Sequence, residues 1–161
     1  KAIVVWGIGP APVIISKNAK QLGVSVPVFM SHGVADPNFI KMAGEAAEGV
    51  MMPASRFIVA DKLADSDSRK AFLMEVKKKY EDKYGAVSTH TGYAYDALRI
   101  IEKALAEAGA DRAAIRDAIE KTQGYVGING TFNMSPEDHN GLTVDSLVMV
   151  RVKNGGWEIV P

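Results

Sequence analysis

The chain has 161 residues, 47% of them apolar, and its 19 lysines and arginines balance 19 aspartates and glutamates. Zero net charge argues against non-specific nucleic-acid binding, which needs a basic footprint, and the lack of cysteine excludes disulfides and thiolate metal sites while leaving the compartment open. The longest apolar runs, about five to seven residues, fall far short of a membrane span, and the length suits one ordinary domain or a piece of a larger protein.

Ala2–Trp6 is an apolar run broken by Gly7-Ile8-Gly9-Pro10, and Val26–Met30 is a second run that ends at Ser31-His32-Gly33. Between them, Pro10–Leu22 reads as a helix with Ile15, Ala19 and Leu22 inward at i, i+4 and i+7, and Gly23 at the left-handed stop. Two strands flanking a helix make a βαβ unit, and both turns then lie at the carboxyl ends of parallel strands, where open α/β sheets bind ligands. The chain opens directly on a strand, whereas termini are ordinarily polar and loose. Upstream sequence is therefore expected to be missing, and the lack of a signal peptide says little about location.

Asp36-Pro37 reads as a helix start, with Phe39, Ile40 and Ala43 inward and an end near Gly44. Glu48–Pro53 reads as a short strand stopped by its proline, Phe57–Ala60 as an extended piece, and Asp61–Ser66 as a polar loop. Three helices follow: one capped by Asp67 or Ser68 and running to about Asp82, one over Thr91–Ala108, and one from Asp111 to Lys121. The middle helix has the cleanest apolar period of the chain, Ala94, Leu98, Ile101, Leu105 and Ala108, predicted as its buried face. Gly127–Met134 and Leu147–Val152 read as strands, and Asn154-Gly155-Gly156 signals a hairpin to Trp157–Val160. Only two or three strands look parallel, fewer than a sheet covered by helices on both faces wants, which again points to an incomplete fold.

The glycine turn at 7–10 lacks the dinucleotide fingerprint, because position 12 is proline where glycine is needed, and no phosphate-cradling loop occurs elsewhere. Trp6 at the strand end could wall a ligand or sit in the core. His32 would need a nucleophile and an orienting carboxylate to act as a base. Ser31 adjoins it, yet successive strand residues point to opposite faces. His90 and His139 have no metal-ligand spacing, Asp138-His139-Asn140-Gly141 has the residue types of a turn, and Asp61, Asp65 and Asp67 lack the pattern of a calcium loop. Ligand hydrogen bonding is the most economical role for His32.

Several stretches, taken in order over essentially the whole chain, carry a resemblance: Ile3–Gly7 with Gly9-Pro10, Ala43–Val50 (Ala-Gly-Glu-Ala-Ala-Glu-Gly-Val), Tyr80–Tyr84, Ala94–Leu98, Arg112–Ile119 and Gly127–Phe132. Together they resemble the C-terminal half of a type I periplasmic binding protein, in the branched-chain amino acid (Leu/Ile/Val-binding) family of ABC transporter receptors. The resemblance implies an α/β fold of parallel βαβ units, an incomplete part of a two-lobed Venus-flytrap receptor whose lobes are joined by three crossovers and hold the ligand between them. On that pattern residues 1–52 belong to the second lobe, 53–140 to the first lobe after a hinge crossover, and 141–161 return to the second. The implied protein is exported to the periplasm, is not an enzyme, and uses no cofactor or metal. It binds a small-molecule solute and delivers it to a membrane permease, with no nucleic-acid partner. The same fold as the sensing domain of a receptor or regulator is the alternative, and a Rossmann-like enzyme lacks every motif it would need.

Ile8 and His32 match second-lobe positions that face the ligand in this family, where position 8 is often aromatic and position 32 often an acid that holds the ligand's ammonium. An imidazole cannot replace a carboxylate in that role, but it donates to a carboxylate, carbonyl or hydroxyl. The expected ligand is a small amino-acid-like solute or an organic acid, aromatic acids included, with Trp6 or Ile8 giving apolar contact; the expected ligand-binding set is Trp6, Gly7, Ile8, Ser31 and His32. Half of each lobe would leave apolar faces and sheet edges bare. The isolated chain is therefore expected to bind ligand poorly and to self-associate, or to pair with the missing N-terminal half.

Overall fold

The branched and aromatic runs at the start form β1 (Ile3–Val5) and β2 (Val28–Met30), paired in parallel with Val5 opposite Met30, in a computed structural model that describes residues 1–160. Between them α1 (Ala11–Gln21) starts after Pro10, and the chain leaves it through Gly23 at φ 65°. Asp36 caps α2 (Pro37–Ala43) by accepting the Asn38 N–H at 2.7 Å. Then come β3 (Met51–Ser55), α3 (Lys70–Tyr84), α4 (Thr89–Ala108) and α5 (Arg112–Glu120), the last capped by Asp111 accepting from Ala114 N at 2.8 Å. The two-residue strands β4 (Tyr125–Val126) and β5 (Thr131–Phe132) precede a closing hairpin of β6 (Leu147–Lys153) and β7 (Gly156–Ile159), turned by Asn154 and Gly155, both at positive φ.

These elements form two compact units, residues 1–89 with 147–160, and residues 90–146. The first holds a five-stranded sheet in the order β1-β2-β3-β6-β7, parallel from β1 to β3 and antiparallel from β3 to β7. The expected parallel βαβ start is therefore present, with three parallel strands. Its core includes Met30, Phe39, Met52, Phe57, Leu73 and Val150, all buried. The unit borders differ from the borders at 52 and 140 drawn for the lobes. Residues 53–89 stay with the opening strands because β3 is zipped to β6 along its whole length and Thr89 N donates to Ala35 O at 3.4 Å.

Three local readings are corrected in this unit. Strand β3 runs through Pro53 to Ser55; the parallel ladder with β2 pairs only Phe29 with Met51, so a missing N–H at 53 costs no bond on that side. Phe57–Ala60 is not extended but wound into 3-10 turns over Arg56–Lys62, started by Ser55 Oγ accepting the Phe57 N–H at 3.2 Å, and all four residues are buried. On α1 the buried residues are Pro12, Val13 and Ser16, while Ile14, Ile15 and Leu22 are exposed. Periodicity identified the helix but not which of its apolar residues its neighbours cover.

The second unit is built on a buried carboxylate. Asp96, on α4, accepts the Ile128 N–H at 2.7 Å and, on its other oxygen, the Asn129 N–H and side-chain amide, both at 2.8 Å. A Cβ at position 127 would lie 2.5 Å from Asp96 Oδ1, so only glycine lets the loop approach this closely. The predicted strand Gly127–Met134 is thereby reduced to the short β4–β5 pair around a loop moulded onto Asp96. Ile100, Phe132 and Met134 form the core beside it, with Ile119, Tyr125 and Leu142 against them. Burial, with the Asp96 charge nearby, holds the Tyr93 phenol above its usual pKa. The face of α4 that this packing buries carries Asp96, Ile100 and Ala104, not the predicted Leu98, Ile101 and Leu105. Asp96→Ala strands three buried donors and is expected to cost about 2–4 kcal/mol in urea unfolding, with amide exchange of Ile128 and Asn129 accelerating first.

Candidate functional site

The parallel register of β1 and β2 carries both glycine-marked turns to the same sheet edge. The link is continued past the strands: Ser31 N donates to Val5 O at 3.2 Å, and Ser31 Oγ donates to Gly7 O at 2.6 Å. Ser31 is buried, so its hydroxyl serves as a clasp between the two turns. Held in this bond to a carbonyl, it is no nucleophile for the neighbouring histidine.

Alternation along β1 continues into the first turn. Ile3, Val5 and Gly7 are half-buried, while Val4, Trp6 and Ile8 are exposed on the other side. Trp6 is 80% exposed and Ile8 72%, so neither lies in the core of this unit. Ile8 reaches toward the second turn, for a Cβ on Gly33 would sit 2.8 Å from Ile8 Cγ2. Gly9 holds φ 72°, a left-handed conformation that lets the chain swing from the turn into α1.

His32 opens a single 3-10 turn, His32–Val34, closed by Val34 N donating to Ser31 O at 3.1 Å and Ala35 N donating to His32 O at 3.0 Å. The flanking Ser31, Val34 and Ala35 are buried and the imidazole is exposed, as expected for neighbouring residues with opposite directions. Trp6, Gly7, Ile8, Ser31 and His32 are thus brought together at one edge, in two roles. Ser31 and the Gly7 carbonyl make the frame, whereas Trp6, Ile8 and His32 offer an apolar surface and a hydrogen-bonding ring. No group of three His, Cys, Asp or Glu side chains among the described residues could hold a metal ion.

Two concavities of the first unit escaped the sequence reading, because each is made by packing between distant segments and leaves no local signature. A groove of about 540 Å³ lies by the amino ends of β2 and β3, with Lys20, Val26, Glu45, Glu48 and Arg151 among its lining. Its charges are already matched: Lys20 Nζ meets Glu45 Oε2 at 2.7 Å, Glu48 accepts Asn154 N at 2.7 Å, and Arg151 pairs with Glu158. A second groove of about 380 Å³ runs between α2, α3 and the β6–β7 turn, past Ile40, Ile58, Lys77 and Trp157. The Asp96–Asn129 lock was also missed, because its partners lie far apart in the chain, with Gly127–Met134 read as a plain strand.

A family profile described as periplasmic binding protein matches residues 1–156. Among solved structures, a Rhodopseudomonas palustris (strain CGA009) protein is 28% identical with a TM-score of 0.89, over 99% of this chain and 48% of its own. An extracellular ligand-binding receptor from Rhodopseudomonas palustris HaA2 is 29% identical with a TM-score of 0.88, over 99% and 48%. A leucine binding protein, LivK, from Thermotoga maritima is 29% identical with a TM-score of 0.81, over 99% and 43%. The chain thus spans about half the length of the solved structures it matches. No curated protein matches it.

The clasp is open to a direct test. Ser31→Ala leaves the Gly7 carbonyl without its hydroxyl donor and is expected to lower stability by about 1 kcal/mol. Chemical denaturation measures the loss, and Trp6 fluorescence in a Trp157→Phe background reports whether the first turn loosens.

Proposed function

The chain belongs to the periplasmic binding protein family, and we propose that it forms part of the solute-binding receptor of an ABC transporter, exported to the periplasm, which captures a small molecule and hands it to a membrane permease. The match across residues 1–156 is the observation that carries this reading. A receptor of this type performs no reaction on its solute; ligand shifts the population toward the closed form by binding it more tightly than the open one. No described helix is long and apolar enough to cross a membrane, so the permease would be a separate polypeptide or segment. We assign residues 1–89 and 147–160 to one lobe and 90–146 to the other, in place of borders at 52 and 140.

The proposed ligand wall is the edge made by Trp6, Ile8 and His32, with Ser31 and Gly7 framing it. An exposed imidazole beside two apolar side chains suits an organic acid with an aromatic or branched body: the ring donates to the carboxylate and the apolar groups cover the body. Branched-chain amino acids are the second reading, favoured by the similarity to a leucine binding protein. They would require a carboxylate elsewhere to hold the ammonium. Calorimetry on the receptor-length protein separates the two. Binding of benzoate-type acids that weakens at least about tenfold in His32→Ala, a loss of 1.4 kcal/mol, supports the first. Tight leucine binding with no response to aromatic acids sinks it.

For the 161-residue chain alone, exposed Val4, Ile14, Leu22, Leu98 and Val144 favour self-association or pairing with a complementary half, and weak ligand binding. Light scattering is expected to show concentration-dependent oligomers; a monodisperse monomer with tight ligand binding contradicts this.

A further inference from the structure

Gly33 stands between the outward-facing His32 and the buried Val34. Its backbone does not call for glycine, for its φ lies outside the positive range that Gly9 and Gly23 occupy. What a side chain lacks at 33 is room. A Cβ there would stand 2.8 Å from Ile8 Cγ2, closer than carbon atoms pack. The contact follows from strand register. Ile3, Val4 and Val5 pair with Val28, Phe29 and Met30, and the same register carried past the strand ends sets Ile8 opposite Gly33. Both backbones are fixed close to this contact. Ser31 Oγ donates to Gly7 O at 2.6 Å, and the turn around Gly33 is closed by Val34 N donating to Ser31 O at 3.1 Å. The Ile8 γ2-methyl hangs directly on a branched Cβ, so only a change of χ1 moves it relative to its own backbone.

Resting on the receptor reading above, we infer that Gly33 is a positioning residue that determines solute specificity: its bare Cα seats the Ile8 methyl against the second turn and keeps the wall beside His32 open to a broad apolar body. Ile8 is 72% exposed, so packing within its own unit resists its rotation little. A side chain at 33 would turn the methyl away from the second turn, toward the exposed side that Ile8 shares with Trp6. That side is the one proposed to meet the solute, and the methyl would take up room that the solute's body uses. The strand pairing and the core are untouched, so the effect falls on binding rather than on folding. A glycine kept only to form the turn would show the reverse, a loss of stability. Discrimination is by breadth: a ring or a branched body loses more than a linear one of the same charge.

Calorimetry on the natural gene product carrying this sequence compares wild type, Gly33→Ala, Ile8→Ala and the double variant. Benzoate is read against linear pentanoate, and leucine against linear norleucine. In whichever pair binds, Gly33→Ala is expected to weaken the broader solute about tenfold and the linear one about threefold or less. In the Ile8→Ala background, where no γ2-methyl remains to be displaced, Gly33→Ala is expected to change neither by more than about twofold. Tm of Gly33→Ala is expected to stay within about 2 °C of wild type. Equal losses with and without the Ile8 side chain overturn the inference, as do equal losses for both members of a pair, or a loss of affinity that only follows a fall in Tm. Should Gly33→Ala alone fail to fold, recovery in the double variant supports the coupling, and a double variant that stays unfolded overturns it. Methyl NMR without solute gives a separate reading: the Ile8 γ2-methyl shows a contact to the Gly33 Hα in wild type and a changed χ1 in Gly33→Ala. A methyl that does not respond overturns the inference. If it responds and neither pair of solutes binds, the result counts against the receptor reading and supports the positioning of Ile8 by Gly33.

Discussion

Parallel pairing of β1 with β2 is the constraint on which the candidate site depends. Opposing Val5 and Met30 ends both strands at the same height, so the two turns that follow start side by side. The Ser31 hydroxyl then closes on the Gly7 carbonyl at 2.6 Å, and β alternation settles the rest. Inward positions are used for framing, and outward positions present Trp6, Ile8 and His32. A slip of one residue in this register would reverse those assignments. The site's form is therefore a property of strand pairing before it is a property of any one side chain.

The second unit reaches order by another route. Its strands are two residues each, too short to organise a fold, and a charged side chain does what a sheet does elsewhere. Asp96 is buried with no cation paired to it among the described residues, and three N–H donors compensate its charge. Removing a carboxylate from water is tolerable only with such full satisfaction. Glycine at 127 makes the close approach possible, because any side chain there would strike the carboxylate. The bonds hold the 127–130 loop to α4, and Ile100 packs with the chain that follows.

Much of the fold was legible in the chain. Local signals marked the βαβ start, the stop at Gly23, the caps Asp36 and Asp111, and the hairpin at Asn154-Gly155, because each is decided by a few neighbouring residues. The grouping of the two turns was legible too, since parallel strands place their carboxyl ends together. Errors fell where something outside the apolar run itself decides. Pro53 ends no strand because the β2 ladder has already stopped. Phe57–Ala60 has strand-like composition, but Ser55 turns it inward.

The sequence by itself determined that this is an α/β chain with two glycine-marked turns at the ends of parallel strands, and its resemblance to the periplasmic binding proteins agrees with the family match over residues 1–156. Only the tertiary structure decided which sides face inward. On α1 the covered residues are Val13 and Ser16 rather than Ile15 and Leu22, and on α4 they are Asp96 and Ile100 rather than Leu98 and Ile101. The reason is physical. A 3.6-residue period says that a helix has an apolar arc, but what lies against that arc is set by residues far away in the chain. For α4 that residue set is the loop at 127–130, whose backbone donors reach Asp96 across more than thirty intervening positions, with |i−j| of 32 and 33.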